Sequence, residues 1–135
     1  MMHDFEALAR AAGSDHTKTA EHDLWKAAVS LERWYFVASS SEDDAQPVVG
    51  SIGGSPFVLA FTDEAQATEF SRRRAAHRGV DDAPVVHMDP AEAVSYFQTL
   101  REAGVEGVLF NAGGAAFQAS MDEVIDRHAR YTRGR

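Results

Sequence analysis

The chain has 135 residues, of which 44% are hydrophobic and 25% charged, a composition typical of one soluble globular domain. It contains no cysteine, which excludes disulfides, thiolate catalysis and cysteine-based zinc sites. The net charge of -8 disfavours binding to nucleic-acid phosphates, and no apolar run approaches the ~18 residues of a membrane span. Because the first residues do not resemble a secretory signal, the sequence predicts a cytoplasmic protein that binds neither nucleic acid nor membrane.

Hydrophobic spacing predicts two helices at the start of the chain. The first helix is indicated by a repeat at i, i+3, i+4 and i+7, made by Phe5, Leu8, Ala9 and Ala12. Gly13 is expected to end it, and residues 14–18 form a polar link. The second helix is predicted over residues 19–31, with Leu24, Ala28 and Leu31 on one face.

Three strands are expected next, at residues 34–38, 46–52 and 56–61. The first is rich in aromatic and β-branched residues, and Gly53 and Gly54 supply a hairpin between the other two. Short links between consecutive strands predict an antiparallel meander. Side chains alternate along a strand, so one of Trp34 and Tyr35 should face the core and the other a second layer or a partner.

Three helix-start signals follow, each of which can satisfy unpaired amides at a helix end. They are Asp63 with Gln66, Asp89 with Pro90 and Glu92, and Ser120 with Glu123. The predicted helices cover residues 63–77, 90–103 and 121–131.

Short apolar runs at residues 84–88, 107–110 and 115–119 complete the predicted elements, whose order is ααβββαβαββα. This order predicts an α/β (α+β) fold, in which helices pack on a mixed sheet of about five to six strands. Residues 1–135 are predicted to form a single domain, with an N-terminal helix and link at 1–18 and a C-terminal helix at 120–135.

The most informative segment is residues 57–70, where a strand runs directly into a capped helix. Binding sites in α/β sheets tend to lie where strands end, so Phe61, Thr62 and Asp63 are candidate binding residues. Thr62 and Asp63 are better explained as helix-capping residues than as catalytic groups.

Asn111, Gly113 and Gly114 follow another predicted strand and are further binding candidates. Their backbone amides could hold an anion. The segment has no lysine and no following Ser or Thr on a helix, however, so a tight turn is the favoured interpretation.

Two arginine clusters have both an ordinary and a functional explanation. Arg72 and Arg73 sit late in a predicted helix, where cations stabilise the negative end of the helix dipole; alternatively they dock an acidic partner. Arg127, Arg130 and Arg133 line one side of the last helix and are interpreted as solvated.

The sequence predicts no catalytic residues, metal or cofactor. His16 and His22 do not have a one-face helical spacing, and His77, His87 and His128 stand alone in sequence. There is no G-x-S-x-G motif, although a nucleophilic triad assembled in space stays open as an alternative.

Several of these segments together resemble the SseB N-terminal domain family, named for the enhanced serine sensitivity protein. The resemblance rests on residues 24–28, 34–37, 60–64 with Ala67 and Phe70, 94–100, and 107–111. It spans residues 24–117 and implies a compact α/β domain without an established catalytic reaction.

Three functions are therefore considered. The favoured one is a non-catalytic domain that binds another protein through a sheet edge or an exposed loop. The second is a sensor of a small, amino-acid-like molecule, or a small enzyme, with a site near the strand ends at Phe61 and Phe110. The third is a structural subunit of a homo-oligomer that uses an unpaired edge such as residues 115–119.

Overall fold

The computed structural model describes residues 19–39, 46–79, 84–113 and 116–132. The predicted first helix near Phe5, the acidic loop before Gln46, and Gly114 lie outside these residues. The elements in chain order are α1 (Thr19–Val29), β1 (Trp34–Val37), β2 (Val49–Ile52), β3 (Ser55–Ala60), α2 (Glu64–Arg78), β4 (Val85–Met88), α3 (Pro90–Glu102), β5 (Gly107–Phe110), β6 (Phe117–Ser120) and α4 (Met121–Thr132). The α/β class is confirmed, and from α1 onward the order of the elements is the predicted one.

The three helix starts form where their capping residues predict them. The carboxylate of Asp63 accepts a 2.8 Å hydrogen bond from the backbone N–H of Gln66. Asp89 and Glu92 form a reciprocal capping box at α3, with Pro90 in the first turn. The Ser120 hydroxyl accepts from the backbone N–H of Glu123 at 3.1 Å. Local chemistry is sufficient at these positions because donor and acceptor are three residues apart.

The strands form two hydrogen-bonded groups, β1–β4 and β2–β3–β5–β6. The β3–β5 pair is parallel, while β1–β4, β2–β3 and β5–β6 are antiparallel. The groups meet at Tyr35 and Phe61, whose backbones exchange hydrogen bonds of 2.9 and 2.8 Å.

The predicted meander of three consecutive strands forms only in part. The end of the first predicted strand pairs antiparallel with the residues before β2, through a bridge between Ala38 and Pro47. The N–H of Val48 donates to the C=O of Val37, and the N–H of Ser39 donates to the C=O of Gln46. The chain then leaves β1, and Val49–Ile52 pairs with β3 across the Gly53–Gly54 turn. The opposite edge of β1 pairs with β4 over its whole length. This partner is distant in sequence, which is why adjacency alone did not predict it.

Apolar side chains fill both faces of the sheet. One cluster joins α1, α3 and α4 to the sheet through residues such as Trp25, Trp34, Phe97 and Phe110. The other lies under α2 and includes Val37, Phe61 and Ala67. Alternation along β3 explains this division, because Val58 and Ala60 join the first cluster while Leu59 and Phe61 join the second.

The predicted alternation of Trp34 and Tyr35 is confirmed. Trp34 is fully buried, and its indole N–H donates a 2.9 Å hydrogen bond to the C=O of Ala28 in α1. Tyr35 is half-buried on the other face and packs edge-on against His87 of β4.

Candidate functional site

The candidate site lies at the carboxyl ends of the two parallel strands β3 and β5. Their register places Ala60 opposite Phe110, so the residues that follow each strand meet at the same edge of the sheet. The sequence-predicted residues Phe61, Thr62 and Asp63 follow β3, and Asn111 and Gly113 follow β5. The structure therefore brings the two predicted groups together.

Thr62 and Asn111 bond to each other across this edge. Oδ1 of Asn111 accepts from the backbone N–H of Thr62 at 3.0 Å, and Nδ2 of Asn111 donates to Oγ1 of Thr62 at 3.1 Å. Asn111 has a φ of 60° and donates its own N–H to the C=O of Ala60. Asparagine tolerates this left-handed conformation better than most residues. Both side chains are buried and hydrogen-bonded, so their main effect is to hold the strand ends together.

Phe61 is fully buried and packs against Phe70 of α2, with ring centroids 5.4 Å apart. It fixes the first turns of α2 on the sheet. Asp63 is exposed, and both of its carboxylate oxygens bond to Gln66. Of the three candidates after β3, only Asp63 is therefore exposed, while Phe61 and Thr62 are buried.

Gly113 and Arg73 approach each other closely. A Cβ atom added to Gly113 would lie 3.0 Å from an Nη of Arg73, and the glycine has a φ of 89°. A side chain at this position would strain the backbone and displace the guanidinium. Glycine thus lets Arg73 reach across from α2 to the turn after β5.

Arg72 and Arg73 share Glu69 as their ion-pair partner. Nη1 of Arg72 lies 3.0 Å from one carboxylate oxygen, whereas Nε of Arg73 lies 3.5 Å from the other. Both arginine side chains are more than half exposed. Because Arg73 uses its Nε toward Glu69, its two Nη groups extend toward Gly113.

The surface between α2 and the turn after β5 is concave. We call it the Arg73 hollow; it has a volume of about 260 Å³ and is lined by Ala65, Gln66, Glu69, Arg73, Ala112 and Gly113. It is open and shallow, with one cation and one anion on its wall.

A second concave surface lies beside Thr62. This Tyr35 hollow has a volume of about 380 Å³ and is lined by Leu31, Glu32, Arg33, Tyr35 and Thr62. Sequence reasoning missed Leu31, Glu32 and Arg33, since no local pattern indicates that the link between α1 and β1 lies beside the end of β3. A deep polar site containing His87, Asp63 or Asn111 would have favoured a sensor or an enzyme, and none of these three lines either hollow.

A third hollow, of about 430 Å³, lies near the start of β5 and of α4. Its cation, Arg101, is already paired with Asp122 at 2.5 Å. This pairing reduces the charge that the hollow can offer a ligand.

In the described part of the chain, His22, His87 and His128 lie on different elements. His22 bonds to the Tyr131 hydroxyl at 3.0 Å, whereas His87 packs against Tyr35. Burial lowers the pKa of His128, and the nearby Asp89 partly opposes that effect. Among the described residues, no three His, Asp or Glu side chains are grouped as a metal site would require.

The arginines of the last helix are engaged within it. Arg127 pairs with Glu123 at 3.0 Å and lies over the Trp25 ring, and Arg130 pairs with Asp126 at 2.6 Å. Arg133 lies outside the described residues. These bonds favour a structural role for Arg127 and Arg130.

No family model matches the chain, and no curated protein matches it significantly. The resemblance to the SseB N-terminal domain therefore stays a prediction. Within the part of the chain that the structure describes, no helix has the length and apolar character needed to cross a membrane.

Proposed function

We propose that this chain is a non-catalytic binding domain that recognises a carboxylate group of a protein partner at the Arg73 hollow. The observation that carries the proposal is the position of the Arg73 guanidinium. It is held against Gly113 at the edge where β3 and β5 end. A guanidinium whose Nη groups have no ion-pair partner within the described residues can bind a carboxylate in a bidentate manner.

The surroundings of Arg73 favour recognition over chemistry. Thr62 and Asn111, the polar residues nearest the strand ends, are buried and bonded to each other. They thus hold the scaffold together, while the polar side chains that line the Arg73 hollow, Gln66, Glu69 and Arg73, belong to α2. A rigid scaffold that presents a shallow, charged surface suits binding of a peptide segment.

Charge complementarity selects the partner's chemistry. The chain is acidic overall, so a carboxylate partner is steered away from most of its surface and toward local cations. Glu69 lies only 3.5 Å from Nε of Arg73 and is half exposed, which leaves the opposite side of the guanidinium for a ligand. The source of the carboxylate is either an acidic side chain or a free peptide C-terminus.

The proposal is tested with arrayed peptides that carry internal Asp or Glu, a free C-terminus, or an amidated C-terminus. Binding is measured to the wild type, to Arg73→Gln and to the matched control Arg72→Gln. The control shares the Glu69 partner but does not line the hollow. We expect carboxylate-dependent binding that Arg73→Gln abolishes and Arg72→Gln retains. Equal losses in both variants, or no dependence on the carboxylate, would contradict the proposal.

A small-molecule sensor is the second candidate, favoured by the Tyr35 hollow. Its volume of about 380 Å³ lies within the range of roughly 300–1,000 Å³ common for ligand sites. Glu32 and Arg33 on its wall offer opposite charges, as binding of a zwitterion requires. Thermal-shift measurements with amino acids should then raise the melting temperature of the wild type but not of Arg33→Ala. No shift with any amino acid would remove this candidate.

A further inference from the structure

We propose that β4 pairs antiparallel with β4 of a second copy of this chain, forming a two-fold symmetric dimer with a continuous sheet. The strand lies at the outer side of β1, and within the described residues β1 is its only strand partner. Its sequence, Val85-Val86-His87-Met88, contains no Lys, Arg, Asp or Glu to discourage pairing.

The direction of the backbone groups on β4 follows from its neighbours. The N–H of Ala38 donates to the C=O of Pro84, so these two residues form a hydrogen-bonded pair. From this pair onward, the opposite residues of β1 and β4 are alternately without and with hydrogen bonds to each other. Tyr35, opposite His87, instead exchanges its backbone bonds with Phe61 on the far side of β1. The N–H and C=O groups of Val85 and His87 therefore point away from β1, toward the outer edge.

A two-fold axis at Val86 matches these groups to each other. Val85 of each copy then exchanges both backbone hydrogen bonds with His87 of the other copy. Val86 lies opposite Val86 of the second copy, in the close position between bonded pairs. Val86 is 38% exposed, and among the described residues only it and Val49 are exposed large apolar side chains. Pairing of β4 with its own copy thus buries the apolar side chain of Val86 and also satisfies the outward backbone N–H and C=O groups.

The outer edges of β2 and β6, the end strands of the four-stranded group, do not place an exposed apolar side chain opposite its own copy in this way. On β2, the backbone N–H and C=O groups that point away from β3 belong to Val49 and Ser51. A two-fold axis between them would place Gly50 opposite Gly50 of the second copy, and glycine has no side chain to pack there. On β6, the corresponding central residue is Ala119, which is already buried. We therefore place the interface between copies at β4, and not at the edge formed by residues 115–119 that the sequence indicates.

A single introduced cysteine tests the register directly, because the chain has none of its own. Opposite residues in the close position have Cα atoms about 4.5 Å apart, a distance compatible with a disulfide. We expect Val86→Cys to form a covalent dimer on mild oxidation roughly tenfold faster or more than the control Val49→Cys, since pairing raises the local thiol concentration. Equal rates in the two variants would overturn the proposal.

Proline substitution tests the edge without cysteine chemistry. His87→Pro removes an outward N–H that β1 does not use, a position where an edge strand tolerates proline. Ser51→Pro makes the same change on the outer edge of β2. Sedimentation should show a concentration-dependent rise toward twice the monomer mass for the wild type and Ser51→Pro, and a monomer for His87→Pro. A wild type that stays monomeric at all concentrations would refute the dimer, as would one that His87→Pro leaves intact. Should His87→Pro fail to fold, the cysteine rates decide.

Discussion

The carboxyl ends of β3 and β5 and the outer edge of β4 differ in where their polar groups find partners. At the strand ends, Thr62 and Asn111 are buried and bond to each other. At β4, the backbone groups of Val85 and His87 face outward. The comparison teaches that polar side chains marked as candidates by the sequence can have all their hydrogen bonds inside the fold. An apolar strand, by contrast, can present backbone N–H and C=O groups to a partner.

The largest expected effect is at the strand ends. Asn111→Ala leaves the buried N–H of Thr62 without its acceptor. It also places alanine at a φ of 60°, a left-handed conformation that asparagine tolerates better. We expect the free energy of unfolding to fall by about 2 to 4 kcal/mol, measured by urea denaturation. Asn111→Asp keeps an oxygen acceptor and should lose less. Unchanged stability of Asn111→Ala would show that the pair does not hold the strand ends.

A smaller effect is expected at the start of α2. Asp63→Ala removes the side-chain acceptor of the Gln66 N–H and should lower stability by about 1 kcal/mol, seen as a lower melting temperature. Asp63→Asn, which can still cap the helix, is the control. Peptide binding should be unaffected by either change, because Asp63 does not line the Arg73 hollow. A loss of binding in both variants would instead place Asp63 in the recognition surface.

The smallest effect on the monomer is expected at β4. Val86→Thr keeps a β-branched side chain at a partly exposed position, so the free energy of unfolding should change by no more than about 0.5 kcal/mol. Unfolding is measured at protein concentrations low enough to keep the chain monomeric. A decrease in the free energy of unfolding as large as that expected for Asn111→Ala would mean that Val86 contributes to the core of the monomer and is not available for a partner.

Sequence reasoning succeeded where the cause is local. The capping residues Asp63, Asp89 and Ser120 each bond to a backbone N–H three residues ahead, and all three helix starts form as predicted. The strands likewise form close to their predicted positions, because composition and turn residues act over a few positions.

The remaining features depend on contacts between distant residues. Thr62 and Asn111 are separated by 49 positions, so the sequence could mark each as a candidate without indicating that they bond to each other. The pairing of β1 with β4 has the same origin, since every hydrogen bond in it crosses α2 in sequence. The Arg73 hollow likewise depends on how α2 is placed over the turn after β5.

The burial of both tryptophans in one cluster has a spectroscopic consequence. Trp25 and Trp34 lie on the face of the sheet covered by α1, α3 and α4, at 2% and 0% exposure. Their fluorescence therefore reports the solvation of that face, and binding at the Arg73 hollow on the opposite side should leave the emission maximum unchanged. A red shift during unfolding marks the moment at which water reaches the aromatic side of the protein, independently of α2.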